Sequence, residues 1–295
     1  MLHRQIGDIS IDRVLETERP DFDPLAFFPQ IPAEAWAPHK EWLQPWALDP
    51  TTGNLVFPMQ SFVVRTRHLT IVVDTCVGDH KTRQRPSWNM TSSGLYLKNL
   101  AAAGVKPEAV DYVLCTHLHN DHVGWNTRLD NGRWVPTFPK AKYIMSENEW
   151  TYWEALHKET PQNQIEDSVI PIIQSGQALL VKNDHALNDE IWFESTPGHT
   201  PDHVAVRLRS RGADAVITGD LIHSPVQCVE LGWVPRPDYD AALARKTRRA
   251  FLERYCDRDV LVCATHFPSP SFGHIVPHGD AFRFKYEAPP TAYRL

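Results

Sequence analysis

The sequence predicts an α/β fold, on three observations: apolar runs of strand length recur along the chain, helical stripes stand between them, and several runs end directly on a histidine or an aspartate. At 295 residues there is length for one large domain or two small ones, with a core that needs no staples. We read residues 1–295 as a single domain.

Residues 5–15 alternate apolar and polar as a half-buried strand does. Over residues 17–50 prolines crowd among Phe22, Phe27, Phe28, Trp36, Trp42 and Trp46, too irregular for long elements and too apolar for a free linker, so this stretch should pack as an arm. Strand patterns resume at 61–65 and 69–74 with a short polar turn between them, a hairpin signal. A helix is expected over 93–103, where Leu95, Leu97 and Leu100 form a stripe that Gly104 and Pro107 stop. The strand at 112–116 ends on His117. The strand at 142–145 runs into Ser146-Glu147-Asn148-Glu149, a capping box for a helix carrying Trp150, Trp153 and Leu156. Further strands are expected at 178–182, 191–195, 204–208, 215–218 and 260–264, with a long helix over 239–255. The run from Asp111 to His117 echoes the run from Asp259 to His266, each an apolar strand delivering a histidine.

Composition narrows the function classes. Charged residues make up 22%, and no apolar run approaches the roughly 20 residues that cross a bilayer. No membrane partner is expected, and the amino end lacks a secretory pattern, which points to the cytoplasm. The five cysteines are scattered and form no C-x-x-C pair, so they read as buried thiols. Net charge is −6, and the one basic cluster, Arg245 to Arg249, lies in a helical pattern and reads as a solvated face, which excludes nucleic acid as a partner.

The excess is in histidine, 15 in all, and it directs attention to metal-ligand spacing. His117-Leu118-His119-Asn120-Asp121-His122 packs three imidazoles and a carboxylate into six residues. On a loop leaving a strand, His117 and His119 can point together while Asp121 and His122 turn to a second position, which offers ligands to two ions. Downstream, Thr196-Pro197-Gly198-His199, Thr218-Gly219-Asp220 and Thr265-His266 each place a polar residue at the end of an apolar run.

This order of motifs resembles the metallo-β-lactamase superfamily, over residues 117–266 and, with Asp74-Thr75 after a strand, over most of the chain. The resemblance implies an αββα four-layer sandwich. It implies that His117, His119 and His199 hold one ion, that Asp121, His122 and His266 hold another, and that Asp220 bridges them. Five imidazoles and two carboxylates suit zinc, and manganese, cobalt or iron could take the same ligands. Two ions roughly 3.5–4 Å apart can share one hydroxide and polarise the group it attacks.

A bridging Asp220 argues against a true β-lactamase. The segments around His199 and Asp220 look like the lactonase and methyl parathion hydrolase branch, which implies hydrolysis of a small-molecule lactone or ester by the metal-bridging hydroxide. Where lactonases carry a tyrosine three residues after the bridging aspartate, this chain has His223; Asp121 or His223 would give the leaving alkoxide its proton. Trp125, Trp150 and Trp153 are expected to wall the substrate pocket. The alternative is phosphotriester hydrolysis, with a thioesterase and a non-catalytic metal-binding sensor ranked below. The aromatic arm could instead wrap a second subunit, hence an expected homodimer.

Overall fold

The computed structural model describes residues 2–290. Fifteen strands form three sheets among them. The first sheet comprises β1 (His3–Ile6), β2 (Ile9–Phe22), β3 (Leu55–Arg65), β4 (Thr70–Val73), β5 (Tyr112–Leu114), β8 (Lys142–Ser146) and β9 (Ala178–Val181), in that order. β6 (Thr127–Asp130) and β7 (Arg133–Pro136) make a separate hairpin. The second sheet runs β10 (Ile191–Ser195), β11 (Val204–Ser210), β12 (Ala213–Ile217), β13 (Val260–Cys263), β14 (Phe272–His278) and β15 (Ala281–Tyr286). Both sheets are mixed: β4, β5, β8 and β9 pair in parallel after an antiparallel β3, and β12 pairs in parallel with β13 before two antiparallel strands. The α/β class stands.

The chain divides into two compact units. Unit 1 comprises Met1–Thr17, Met59–Phe193 and Arg209–Gly212. Its core sets Val113 of β5 and Tyr143 and Met145 of β8 against Tyr96 and Leu100 of helix Leu95–Ala102 and against Trp153 of helix Glu147–Glu159. Unit 2 comprises Glu18–Pro58, Glu194–Leu208 and Ala213–Leu295. There Val216 of β12 and Val262 of β13 pack on Phe251, Leu252 and Tyr255 of helix Ala241–Tyr255. Each such side chain contributes about 1.5–3 kcal/mol by leaving water. Asp240 caps that helix, accepting from the N–H groups of Ala242 and Leu243 at 3.0 and 2.9 Å.

Several expectations need correction. The strand at 5–15 is two strands, because Gly7 and Asp8 form a turn that pairs Ile6 with Ile9. The arm begins as the end of β2, through Phe22, and continues as the short helices Pro24–Phe27 and Ala37–Leu43. Its rings pack within unit 2, where Phe27 meets Phe28 and Phe57, and Trp36 meets Trp233, so they lend no argument for a homodimer. Helix Glu147–Glu159 starts where the capping box lies, but Ser146 makes no side-chain cap and Glu149 turns inward to Trp153. Arg248 is not on a solvated face: it shares the inward stripe of Ala244, Phe251 and Tyr255, and its guanidinium donates to the Trp233 carbonyl at 3.0 Å. The described cysteines are free, all but Cys256 buried, and burial lifts the thiols of Cys115 and Cys228 to about 12. No helix among the described residues is long and apolar enough to cross a membrane.

Candidate functional site

Unit 1 carries four of the candidate ligands on the segment that leaves β5. Thr116 Oγ1 stands 3.0 Å from Nδ1 of His117, so the opposite edge of that ring faces His119, with His117 Nε2 and His119 Nδ1 3.0 Å apart. Nδ1 of His122 lies 2.9 Å from Oδ2 of Asp74, and the His117 and His122 rings are 4.0 Å apart. Asp74 is itself fixed: its Oδ1 accepts from the Thr116 N–H and its Oδ2 from the Thr116 hydroxyl, both at 2.8 Å. A carboxylate behind an imidazole selects the tautomer that offers Nε2 as a ligand. Asp121 follows on the short helix Asn120–Val123, its Oδ2 3.9 Å from Nε2 of His122.

Backbone contacts hold this segment. Thr75 N–H donates to the His122 carbonyl at 2.7 Å, and the N–H groups of Gly124 and Trp125 donate to the carbonyls of Cys76 and Thr75 at 2.8 Å. The approach is close enough that a Cβ on Gly124 would lie 1.9 Å from the Val77 carbonyl oxygen. Behind it, buried Glu16 accepts from Val77 N–H at 2.9 Å, Gly78 N–H at 3.3 Å and the Trp125 indole at 2.6 Å. Burial raises the Glu16 carboxyl to about 7 despite these donors.

Unit 2 gathers its candidates around Asp220, which follows β12. Nε2 of His199 lies 3.3 Å and Nε2 of His223 3.2 Å from Asp220 Oδ2, whereas Nε2 of His266 lies 3.0 Å from Oδ1. The carboxylate thus presents one oxygen to each of two imidazole groups. Its backbone N–H donates to Nε2 of His203 at 2.9 Å, which gives His203 a structural task. His199 is held on its far side, Nδ1 lying 2.9 Å from Asp238 Oδ1, and His266 Nδ1 lies 3.1 Å from the Pro58 carbonyl oxygen. Gly198, at φ +131°, has no room for a side chain, since a Cβ would sit 2.4 Å from the Ala244 nitrogen.

Burial pulls the His199 pKa down, but Asp220 and Asp238 outweigh it and raise it to about 9. Burial lowers that of His223. A buried carboxylate ringed by three imidazole nitrogens within 3.3 Å, two of them on rings fixed from behind, fits a divalent cation by ligand type and tautomer.

The family described as the metallo-beta-lactamase superfamily matches residues 56–266, a stretch that includes every candidate ligand. The chain belongs to the metallo-β-lactamase superfamily. It is similar to the N-acyl homoserine lactonase AiiA of Bacillus thuringiensis subsp. kurstaki, at 22% identity over 179 residues, 57% of this chain. The match spans 65% of that relative's length, just under two thirds. Among solved structures, it resembles the hydrolase AbOPH of the beta lactamase superfamily at TM-score 0.80 and 24% identity. AidC, a dizinc quorum-quenching lactonase solved with a product, also gives TM-score 0.80, at 20% identity; 98% of each chain is covered in both cases. The metallo-β-lactamase fold is therefore shared.

Within this superfamily member the three tryptophans take different places. Trp125 is in the core, stacked on Tyr96 at 5.5 Å, and Trp150 packs half-buried against the same core. Trp153 meets the His119 ring edge-on at 5.4 Å. The residues that sequence reasoning missed are the carboxylates behind the imidazoles. Asp74 enters only as part of the family pattern, and Asp238, 39 residues beyond His199, carries no local signal.

Proposed function

We propose that this chain is a dinuclear metal-dependent lactonase in which the two units work as one domain. His117, His119 and His199 hold one ion, Asp121, His122 and His266 hold the other, and Asp220 serves both. The observation that carries the reading is the division of the Asp220 carboxylate, Oδ1 toward His266 and Oδ2 toward His199. Zinc suits these ligands, and manganese, cobalt or iron would also be accepted. When bound, such ions would supply Lewis acidity and a nucleophile at neutral pH.

The chain's own residues then orient and exclude. Asp74, Asp238 and the Pro58 carbonyl fix the imidazoles, so little is lost in reorganising them during the reaction. Phe27, 5.4 Å from the His223 ring, and Phe57, 5.8 Å from the His266 ring, keep water from the unit 2 cluster. Trp153 beside His119 would offer an apolar wall to an acyl chain. Ring opening breaks the acyl carbon–oxygen bond, and Asp121 or His223 gives the departing alkoxide its proton, which leaves a hydroxy acid. The substrate class follows the lactonase relatives, an N-acyl homoserine lactone or a similar small ester.

A second reading, phosphotriester hydrolysis, is favoured by His223, which stands where the lactonase pattern has tyrosine. The test is turnover of acyl-homoserine lactones, aromatic lactones, aryl esters, phosphotriesters, thioesters and β-lactams by metal-loaded protein. Preferred opening of lactones is expected. A phosphotriester preference would install the second reading, and no turnover of any member would reduce the chain to a metal-binding sensor.

A further inference from the structure

We propose that His223 is an additional ligand of the ion held by His199 and Asp220 Oδ2, rather than a group that touches substrate. The inference rests on the metal reading above and sharpens it. His223 is buried; among the described residues its Nδ1 makes no hydrogen bond, and its Nε2 meets only the Asp220 carboxylate, at a geometry short of a good hydrogen bond. Burying an imidazole with so little satisfaction is costly, so a cation shared with the carboxylate at the nitrogen that faces the cluster would suit it. Its Nε2 stands 3.2 Å from Asp220 Oδ2, the same oxygen that His199 approaches at 3.3 Å.

The ring is also aimed. Its plane lies parallel to that of His266 within 4°, 5.6 Å away, and Phe27 meets it edge-on at 5.4 Å. The main chain at His223 is locked by Gln227, a buried side chain whose Oε1 accepts from the His223 and Ser224 N–H groups at 2.8 and 3.2 Å and whose amide donates to the Trp233 carbonyl. A proton donor to substrate needs access, whereas a ligand needs only this fixed direction. The leaving-group proton then falls to Asp121. An added imidazole also favours nitrogen-seeking ions, zinc and cobalt, over manganese.

The experiment compares wild type, His223→Phe and His223→Gln loaded with cobalt(II), reading the visible absorption of the bound ion and, by chelator competition, the affinity of each equivalent. Melting of the metal-free proteins reports whether each variant folds. We expect the phenylalanine variant to alter the cobalt spectrum and to weaken one of the two equivalents at least about tenfold, the scale on which even an outer contact is felt. The shorter amide of His223→Gln should restore little of either. Unchanged spectrum and affinities in a folded variant, with turnover alone reduced, would overturn the assignment. If wild type opens no lactone while His223→Phe still changes the spectrum, the ligand assignment stands and the lactonase reading falls.

Discussion

Oδ1 of Asp238 lies 2.9 Å from Nδ1 of His199, and on the opposite edge of the same ring Nε2 faces Oδ2 of Asp220 at 3.3 Å. The imidazole is therefore held between a carboxylate that orients it and one that shares its proposed ion. Asp238→Asn keeps the shape and removes the charge, and it should lower metal affinity about 10–100-fold. Chelator competition against wild type reads this directly; equal affinities would leave Asp238 with only a packing role.

Asp220→Asn tests the bridge. One carboxylate oxygen is lost, so at least one ion should bind at least about tenfold more weakly, with turnover falling alongside it. Metal content by atomic emission after dialysis is the check, and two firmly held ions in the variant would remove Asp220 from the bridging role.

Glu16 predicts a pH signature away from the proposed ligands. Its carboxyl is raised from 4.5 to about 7 by burial, so the folded state binds its proton more tightly than the unfolded state does. The stability this gives is fully present below about pH 4.5 and is lost as pH rises through about 7, roughly 3 kcal/mol in all. Glu16→Gln abolishes this contribution. Urea unfolding of both proteins between pH 4.5 and 7 should therefore give curves that change separation by that amount; parallel curves would show that the carboxyl titrates normally.

Gly124→Ala should be damaging out of proportion to one methyl group. The new Cβ would lie 1.9 Å from the Val77 carbonyl oxygen, so either the 75–77 segment after β4 or the ligand segment must shift. We expect a loss of about 1–3 kcal/mol or more in urea unfolding, together with weaker metal binding. Wild-type stability would mean that the two segments part easily.

The parts of the fold legible in sequence are those where burial imposes a period. Leu100, in helix Leu95–Ala102, and Phe251 and Tyr255, in Ala241–Tyr255, mark helices because their inward faces repeat, and β5 and β8 are short apolar runs with clear ends. The hairpins β6–β7, β14–β15 and β1–β2 have turn signals in Asn131-Gly132, Gly279-Asp280 and Gly7-Asp8, the last of them obscured by the apolar alternation that runs through it. At the site, the candidate ligands stood out because their spacing is local. Asp74 and Asp238 act through another residue's ring, so nothing in their own neighbourhood announces the task. Trp125 and Arg248 show the converse limit, since residue type alone does not tell a pocket wall from a core filler, or a solvated cation from one satisfied by buried carbonyls.

The turn bearing His199 is fastened to the beginning of helix Ala241–Tyr255, with Tyr239 N–H donating to the His199 carbonyl and Asp240 N–H to that of Gly198. Fraying of that first turn would loosen the imidazole before the domain melts. Cation release on gentle warming would then act as a gauge of local opening, and a stronger cap at residue 240 would slow the escape of the cation without altering any group that binds it.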